Sequence, residues 1–192
     1  MAAIDIGSAA LNRNTGITFG QTIIDLTNPA NGTGRLTSFE VWMALDFDAT
    51  GVKAGTLYGS GTDYTSRDVE TIGNVTSGSK QTFSGLDCTV SSGDFAGIYM
   101  AAGRIESEPA GGSGSGIYKY TGDAFGAGLK TYTIATAVAI SLYGIGSTPG
   151  WANINNVRMG TGVVLATDIA YICMGTGKID VADISDFNGV AV

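Results

Sequence analysis

The stretch LTSFEVWMALDF, from Leu36 to Phe47, decides the fold class. Phe39, Val41, Met43 and Leu45 fall on one face, and Glu40, Trp42, Ala44 and Asp46 on the other. A period of two belongs to a half-buried β-strand, not to a helix. The first face is the expected core, with Trp42 on the outer face. Asp48-Ala49-Thr50-Gly51 closes the strand as a turn.

The same grammar continues on both sides. Upstream, residues 2–6 read as an edge strand and Thr15 to Leu26 as one half-buried strand, followed by a turn at residues 28–32. Downstream, Val52 to Tyr58 and Asp63 to Val75 read as strands divided by Gly59-Ser60-Gly61. Gln81 to Val90 follows, with Phe83, Leu86, Cys88 and Val90 in alternation, and then FAGIYMAAGRIE (95–106) as one buried strand. Residues 109–116 (PAGGSGSG) read as an exposed loop and Gly116 to Tyr120 as a short strand. Lys130 to Tyr143 reads as a long last strand, with Tyr132, Ile134, Thr136, Val138, Ile140 and Leu142 along one side. About eight strands separated by turn residues, with no helical period, predict an antiparallel two-sheet β-sandwich of the jelly-roll type over residues 1–148. Gly144 to Gly150 then reads as a linker into a C-terminal segment, residues 149–192.

That segment repeats itself. INNVRMGTGVVLATD (154–168) is followed by IAYICMGTGKIDVAD (169–183) and the truncated ISDFNGVAV (184–192), with six of fifteen positions identical in the two full units. Ile154, Ile169 and Ile184 stay in register, as do Val157, Ile172 and Phe187, and as do Met159 and Met174. The Gly-x-Gly of each MGTG can take positive φ and reverse the chain, which suggests strand–turn–strand units. VVLATDIAYICM (163–174) lacks glycine and proline and also suits a single helix. Short repeats cannot bury their own apolar faces, and two and a half are too few for a free-standing solenoid. Assembly or anchoring through Ile154, Val157, Met159, Ile169, Ile172, Met174, Ile184 and Phe187 is the expectation.

Composition narrows the chemistry. A net charge of −7, with ten basic residues scattered singly, argues against a surface that tracks nucleic-acid phosphates. Histidine is absent, which removes the commonest general base and the commonest zinc ligand. No enzyme activity and no cofactor are expected. Cys88 and Cys173 lack metal-ligand spacing and read as buried apolar residues, or as a pair. The N-terminus has no signal-peptide pattern, and no apolar run approaches the ~20 residues of a membrane helix.

Several residues invite a functional reading. Asp46 and Asp48 share a strand face and begin a D-x-D-x-x-G pattern, a weak candidate for a hard cation against the simpler reading of a solvated turn. Glu106 and Glu108 are also two apart, but neither pair has a cleft to act in. Asp63, Asp94 and Asp123 fall at turns, where Asp bonds its own backbone. Trp42, Tyr118 and Tyr120 are candidate glycan-stacking residues. Tyr118 and Tyr120 share one face, which is either a sugar platform or core.

TIIDLTNPANGTG (22–34), GTDYTSRDVETIGNVTSGSKQTF (61–83), VSSGDFAGIYM (90–100), ISLYG (140–144) and DISDFNGVAV (183–192) resemble uncharacterised jelly-roll proteins of tailed phages and environmental viral genomes. The resemblance implies a virion surface subunit, assembled in the host cytoplasm: a capsid decoration, head fibre or tail-fibre component. Its expected partners are itself, as a homo-oligomer with a trimer favoured, and a capsid or tail protein. Neither nucleic acid nor membrane is expected. The alternative is a carbohydrate-binding module or adhesin that contacts surface glycans.

Overall fold

A computed structural model of the chain describes residues 2–148 and, beyond them, residues 158–159, 162–163, 171–174, 177–180, 186–187 and 190–191. The chain divides into two compact units, Met1–Thr148 and Pro149–Val192. Among the described residues the protein is all-β, without a helix. Hence no described helix is long and apolar enough to cross a membrane.

The first unit begins with β1 (Ala3–Ser8), β2 (Thr15–Thr18), β3 (Gln21–Asp25), β4 (Gly34–Trp42), β5 (Ala49–Ser60), β6 (Asp63–Val75) and β7 (Lys80–Val90). It continues with β8 (Phe95–Tyr99), β9 (Arg104–Ser107), β10 (Ile117–Thr121), β11 (Lys130–Thr131), β12 (Thr133–Ala135) and β13 (Leu142–Ser147). One sheet has the order β1-β13-β4-β7 and the other β11-β6-β5-β8-β3-β10-β12, while β2 and β9 form a separate ribbon. The ladders within these sheets are antiparallel.

The two larger sheets face each other as a sandwich. Ile4, Ile6, Leu36, Phe39, Val41, Cys88, Val90 and Leu142 of the smaller sheet share one buried cluster with Ile23, Val52, Ala54, Ala96, Ile98 and Ile117 of the larger. A second apolar layer covers the opposite face of the seven-stranded sheet. Successive residues of a strand point to opposite faces, so Ile23 joins the central core and Ile24 the outer layer. The outer layer is aromatic: Tyr64, Tyr118 and Tyr132 are buried with Leu57, and Ala124 and Phe125 from the segment after β10 close over them. The Tyr64 ring lies 5.1 Å from Tyr118 and 6.0 Å from Tyr132, centroid to centroid.

Several strand boundaries differ from the sequence reading, each for a local reason. The Leu36 strand ends at Trp42, and the core face ends with it: Met43 is fully buried, whereas Leu45 is 68% exposed on a turn that bends at Asp46, φ 65°. Thr15 to Leu26 is two strands. Gly20, at φ 77°, breaks it beside an exposed Phe19 and sends β2 to β9 but β3 into the large sheet. Phe95 to Glu106 likewise splits into β8 and β9, with Gly103 at φ 105° between them.

Lys130 to Tyr143 does not form one strand. Ala137 takes φ 53°, and the segment divides so that Tyr132 joins the outer layer, Ile134 is exposed, and Val138, Ile140 and Leu142 enter the central core. The expected linker from Gly144 contains most of β13, hydrogen-bonded between β1 and β4. Its glycines are there for close approach: a Cβ at Gly146 would lie 2.0 Å from the Arg35 carbonyl oxygen.

Beyond residue 148 the described backbone forms three hairpins. β14 (Arg158–Met159) pairs with β15 (Gly162–Val163), β16 (Tyr171–Met174) with β17 (Gly177–Asp180), and β18 (Asp186–Phe187) with β19 (Val190–Ala191). Met159 is opposite Gly162 and Met174 opposite Gly177, so the first and last residues of each MGTG pair in the same way. Tyr171–Met174 is therefore strand, while residues 164–170 lie outside the described residues.

Candidate ligand cleft

The acidic residues singled out in the sequence serve mainly to hold loops. Asp46 and Asp48 do not share a strand face, because β4 has already ended. The Asp48 carboxylate instead accepts the Ser77 N–H at 2.7 Å, and this bond holds its carboxyl below the usual range. No group of three or more His, Cys, Asp or Glu side chains suited to a metal ion occurs among the described residues. Asp63 accepts the Thr131 hydroxyl, and Asp123 pairs with Lys53.

Arg13, which the sequence reading passed over, is the hub around Glu106 and Glu108. Its backbone N–H donates to Glu106 Oε2 at 2.9 Å and its Nη1 to Glu108 Oε1 at 2.7 Å. Its Nε donates to Ser141 Oγ, and the Ser141 hydroxyl donates to the Leu11 carbonyl. Glu108 also accepts the Ser113 hydroxyl and the Gly114 N–H, pinning the glycine-rich loop. Burial opposes ionisation of Glu108, but the Gly114 N–H, the Ser113 hydroxyl and the Arg13 charge outweigh it and hold its carboxyl below the ordinary value of 4.5.

A carboxylate whose folded pKa is depressed contributes stability that is complete above its unfolded pKa. That contribution is lost as pH falls through the folded value. Glu108→Gln should therefore cost about 1–3 kcal/mol at pH 7 and flatten the fall in stability below pH 4.5. Urea unfolding at a series of pH values would check this; parallel acid profiles for the two proteins would refute it.

The three candidate stacking aromatics do not come together. Trp42 is half-buried on β4 of the smaller sheet, whereas Tyr118 and Tyr120 lie on β10 of the larger. Tyr118 is 8% exposed inside the aromatic layer and offers no open ring face. Half-buried Tyr120 packs on Tyr132 and carries the Lys130 ammonium over its ring. Burial, with neighbouring Tyr120 and Asp123 adding to it, pushes the Tyr132 phenol up to about 12. Cys88 is free and fully buried, and burial pushes its thiol up to about 12 as well, as befits an inert core residue. The side chain of Cys173 lies outside the described residues. So do Ile154, Val157, Ile169 and Ile184, while Met159, Ile172, Met174 and Phe187 are placed on hairpin strands by their backbone alone.

A cleft of about 250 Å³ opens beside the β2–β9 ribbon. Alternation along β9 turns Ile105 into the core and Arg104 and Glu106 into the cleft. Asn12, Asn14 and Thr15 form one wall, and the turn carrying Ala44 and Leu45 forms the other. That turn is tied to the floor by the Ala44 N–H, which donates to the Arg104 carbonyl at 2.8 Å. Gly16 gives Arg104 its room: a Cβ there would meet Arg104 Nε at 2.8 Å and Cγ at 2.9 Å.

The Arg104 guanidinium lies 5.8 Å from the centroid of the exposed Phe47 ring, and its buried Nε has no hydrogen-bond partner. Glu106 is 5% exposed and commits Oε2 to Arg13, leaving Oε1 as an acceptor. The cleft thus places an unpaired guanidinium, a buried carboxylate and two asparagine amides around one small space. Glu106 was legible in the sequence as one of a carboxylate pair. Arg104 and the asparagines carry no motif and meet only through the fold. The chain matches no known family model, no curated protein and no solved structure.

Proposed function

We propose that this chain is a structural subunit of a virion surface, in the manner of a capsid decoration, head fibre or tail-fibre protein. It assembles with copies of itself, as a trimer, through residues 149–192. The observation that carries this reading is the set of three hairpins, each a separate two-stranded sheet with strands of two to four residues. An isolated two-stranded hairpin is marginally stable at best in water, and open strand edges pair readily with other chains. Equivalent hairpins on sister copies supply those partners, and the apolar positions from Ile154 to Phe187 supply the buried surface. The first unit is then the presented domain. We read it as a jelly-roll variant, because the chain passes repeatedly between the two sheets, from β1 to β3, β4, β5 and β7.

A double substitution, Ile169→Asp with Ile172→Asp, should leave the sandwich folded and abolish self-association. Light scattering on the full chain should give an oligomer for wild type and a monomer for the variant, with a 1–148 truncation also monomeric. If the variant keeps the wild-type mass, the reading is wrong. The alternative, a carbohydrate-binding module or adhesin using Trp42, Tyr118 and Tyr120, draws no support from a buried Tyr118 and a Trp42 on the other sheet.

A further inference from the structure

We infer that the cleft on the β2–β9 ribbon binds a single carboxylate-bearing sugar residue, of the hexuronate kind, with Arg104 taking the carboxylate and Glu106 a ring hydroxyl. The inference is independent of self-assembly and rests on residues of the first unit alone.

Arg104 indicates the ligand's charge. Guanidinium groups match carboxylates with paired, charge-assisted hydrogen bonds. This one makes no hydrogen bond or ion pair within the described protein; its Nε is covered beside Gly16, while its Nη groups are not buried. A ligand carboxylate would therefore meet the two terminal Nη groups, whose N–H donors have no acceptor among the described residues.

Glu106 indicates that charge is not the whole ligand. A bare anion in this cleft would face a buried carboxylate in the same small space and be repelled. A ligand that carries hydroxyl donors as well as a carboxylate satisfies both ends. Asn12 Oδ1 accepts the Asn14 N–H, so the Asn12 amide keeps its own N–H groups free to donate to ligand oxygens.

The walls supply the remaining character. Leu45 lies 68% exposed along one side, an apolar surface suited to the C–H face of a pyranose ring. A volume of about 250 Å³ falls below the ~300–1,000 Å³ of pockets for drug-sized ligands and suits one ring. The cleft is open, so that ring can be free or the end of a longer glycan.

Saturation-transfer NMR on the full chain tests this with sodium glucuronate, glucose, acetate and glycine as probes. Glucuronate should bind saturably and at least tenfold more tightly than glucose, which lacks the carboxylate, or acetate, which lacks the hydroxyls. Arg104→Gln should weaken glucuronate at least tenfold. Leu45→Glu, at an exposed position the fold tolerates, should do the same by placing a negative charge at the cleft wall. The inference is overturned if glucuronate does not saturate, or if acetate or glycine binds as well as glucuronate. It is also overturned if both variants bind like wild type. With glucuronate supplied at millimolar concentration, a terminal uronate in a tetrasaccharide that competes with it marks a glycan-end site. Failure to compete assigns the cleft to the free sugar.

Discussion

Phe39→Ala should destabilise the protein by about 3–5 kcal/mol, the range for deleting a fully buried aromatic side chain. Phe39 is among the largest side chains that the fold buries completely. It sits on β4 where that strand is flanked on both sides, opposite Phe83 of β7 and Gly144 of β13. Its ring fills the space over Gly144, where an added Cβ would lie 3.0 Å from Phe39 Cε1 and 2.7 Å from Ile6 Cγ2. Glycine and phenylalanine are thus complementary, and alanine at residue 39 leaves a void that flanking strands cannot collapse into without breaking their ladders. Urea unfolding at pH 7 should show a lower midpoint with an unchanged slope. A loss under about 1 kcal/mol would mean that the site relaxes freely or that the ring is not the centre of the core.

The second large effect belongs to an ion pair. Asp94 has a side-chain exposure of 3% and receives Arg67 Nε at 2.5 Å and Nη2 at 3.0 Å. It also accepts the Ser91 N–H at 2.8 Å, while the Arg67 guanidinium rests 4.6 Å above the Tyr58 ring. This bond to Asp94, chiefly, raises the Arg67 pKa further. Removing one partner of a buried pair strands the other, at a cost of about 3–5 kcal/mol. Arg67 keeps 30% exposure, so Asp94→Ala should fall at the lower end, about 3 kcal/mol. Arg67→Ala leaves the more deeply buried carboxylate alone and should cost at least as much. Thermal and urea unfolding of both variants would measure this. Losses within about 0.5 kcal/mol of wild type would place the pair among ordinary surface contacts.

Those two sites show what the sequence could reveal. Phe39 was legible because it alternates with Val41 and Met43, whereas Leu36 reaches the same core only because the register shifts between Leu36 and Ser38. Asp94 was legible only as a turn residue: its bond to Ser91 is local, but Arg67 lies 27 positions away and reaches it through the fold. Alternation became uninformative where both faces of a sheet are buried. The aromatic layer outside the larger sheet removes the polar face that would have told Tyr118 from core, and the same loss hid the break at Ala137. The glycines after Leu142 resemble a linker by composition, yet they serve a strand pressed between two others. The cleft was the least legible part, since its members come from the loop after β1, the turn after β4 and β9.

The position of β13 bears on how the domain is made. Ala3 pairs with Ser147 and Ser8 with Leu142, so among the described residues the first strand of this unit has its one sheet neighbour in the unit's last strand. Closing so long a loop is an entropic barrier, and sandwiches dominated by such pairings fold in milliseconds to seconds, not microseconds. Until residue 147 is synthesised, β1 has no ladder and β4 shows one bare edge. The nascent first unit therefore carries two open strand edges, each able to pair wrongly, until its last strand has been made.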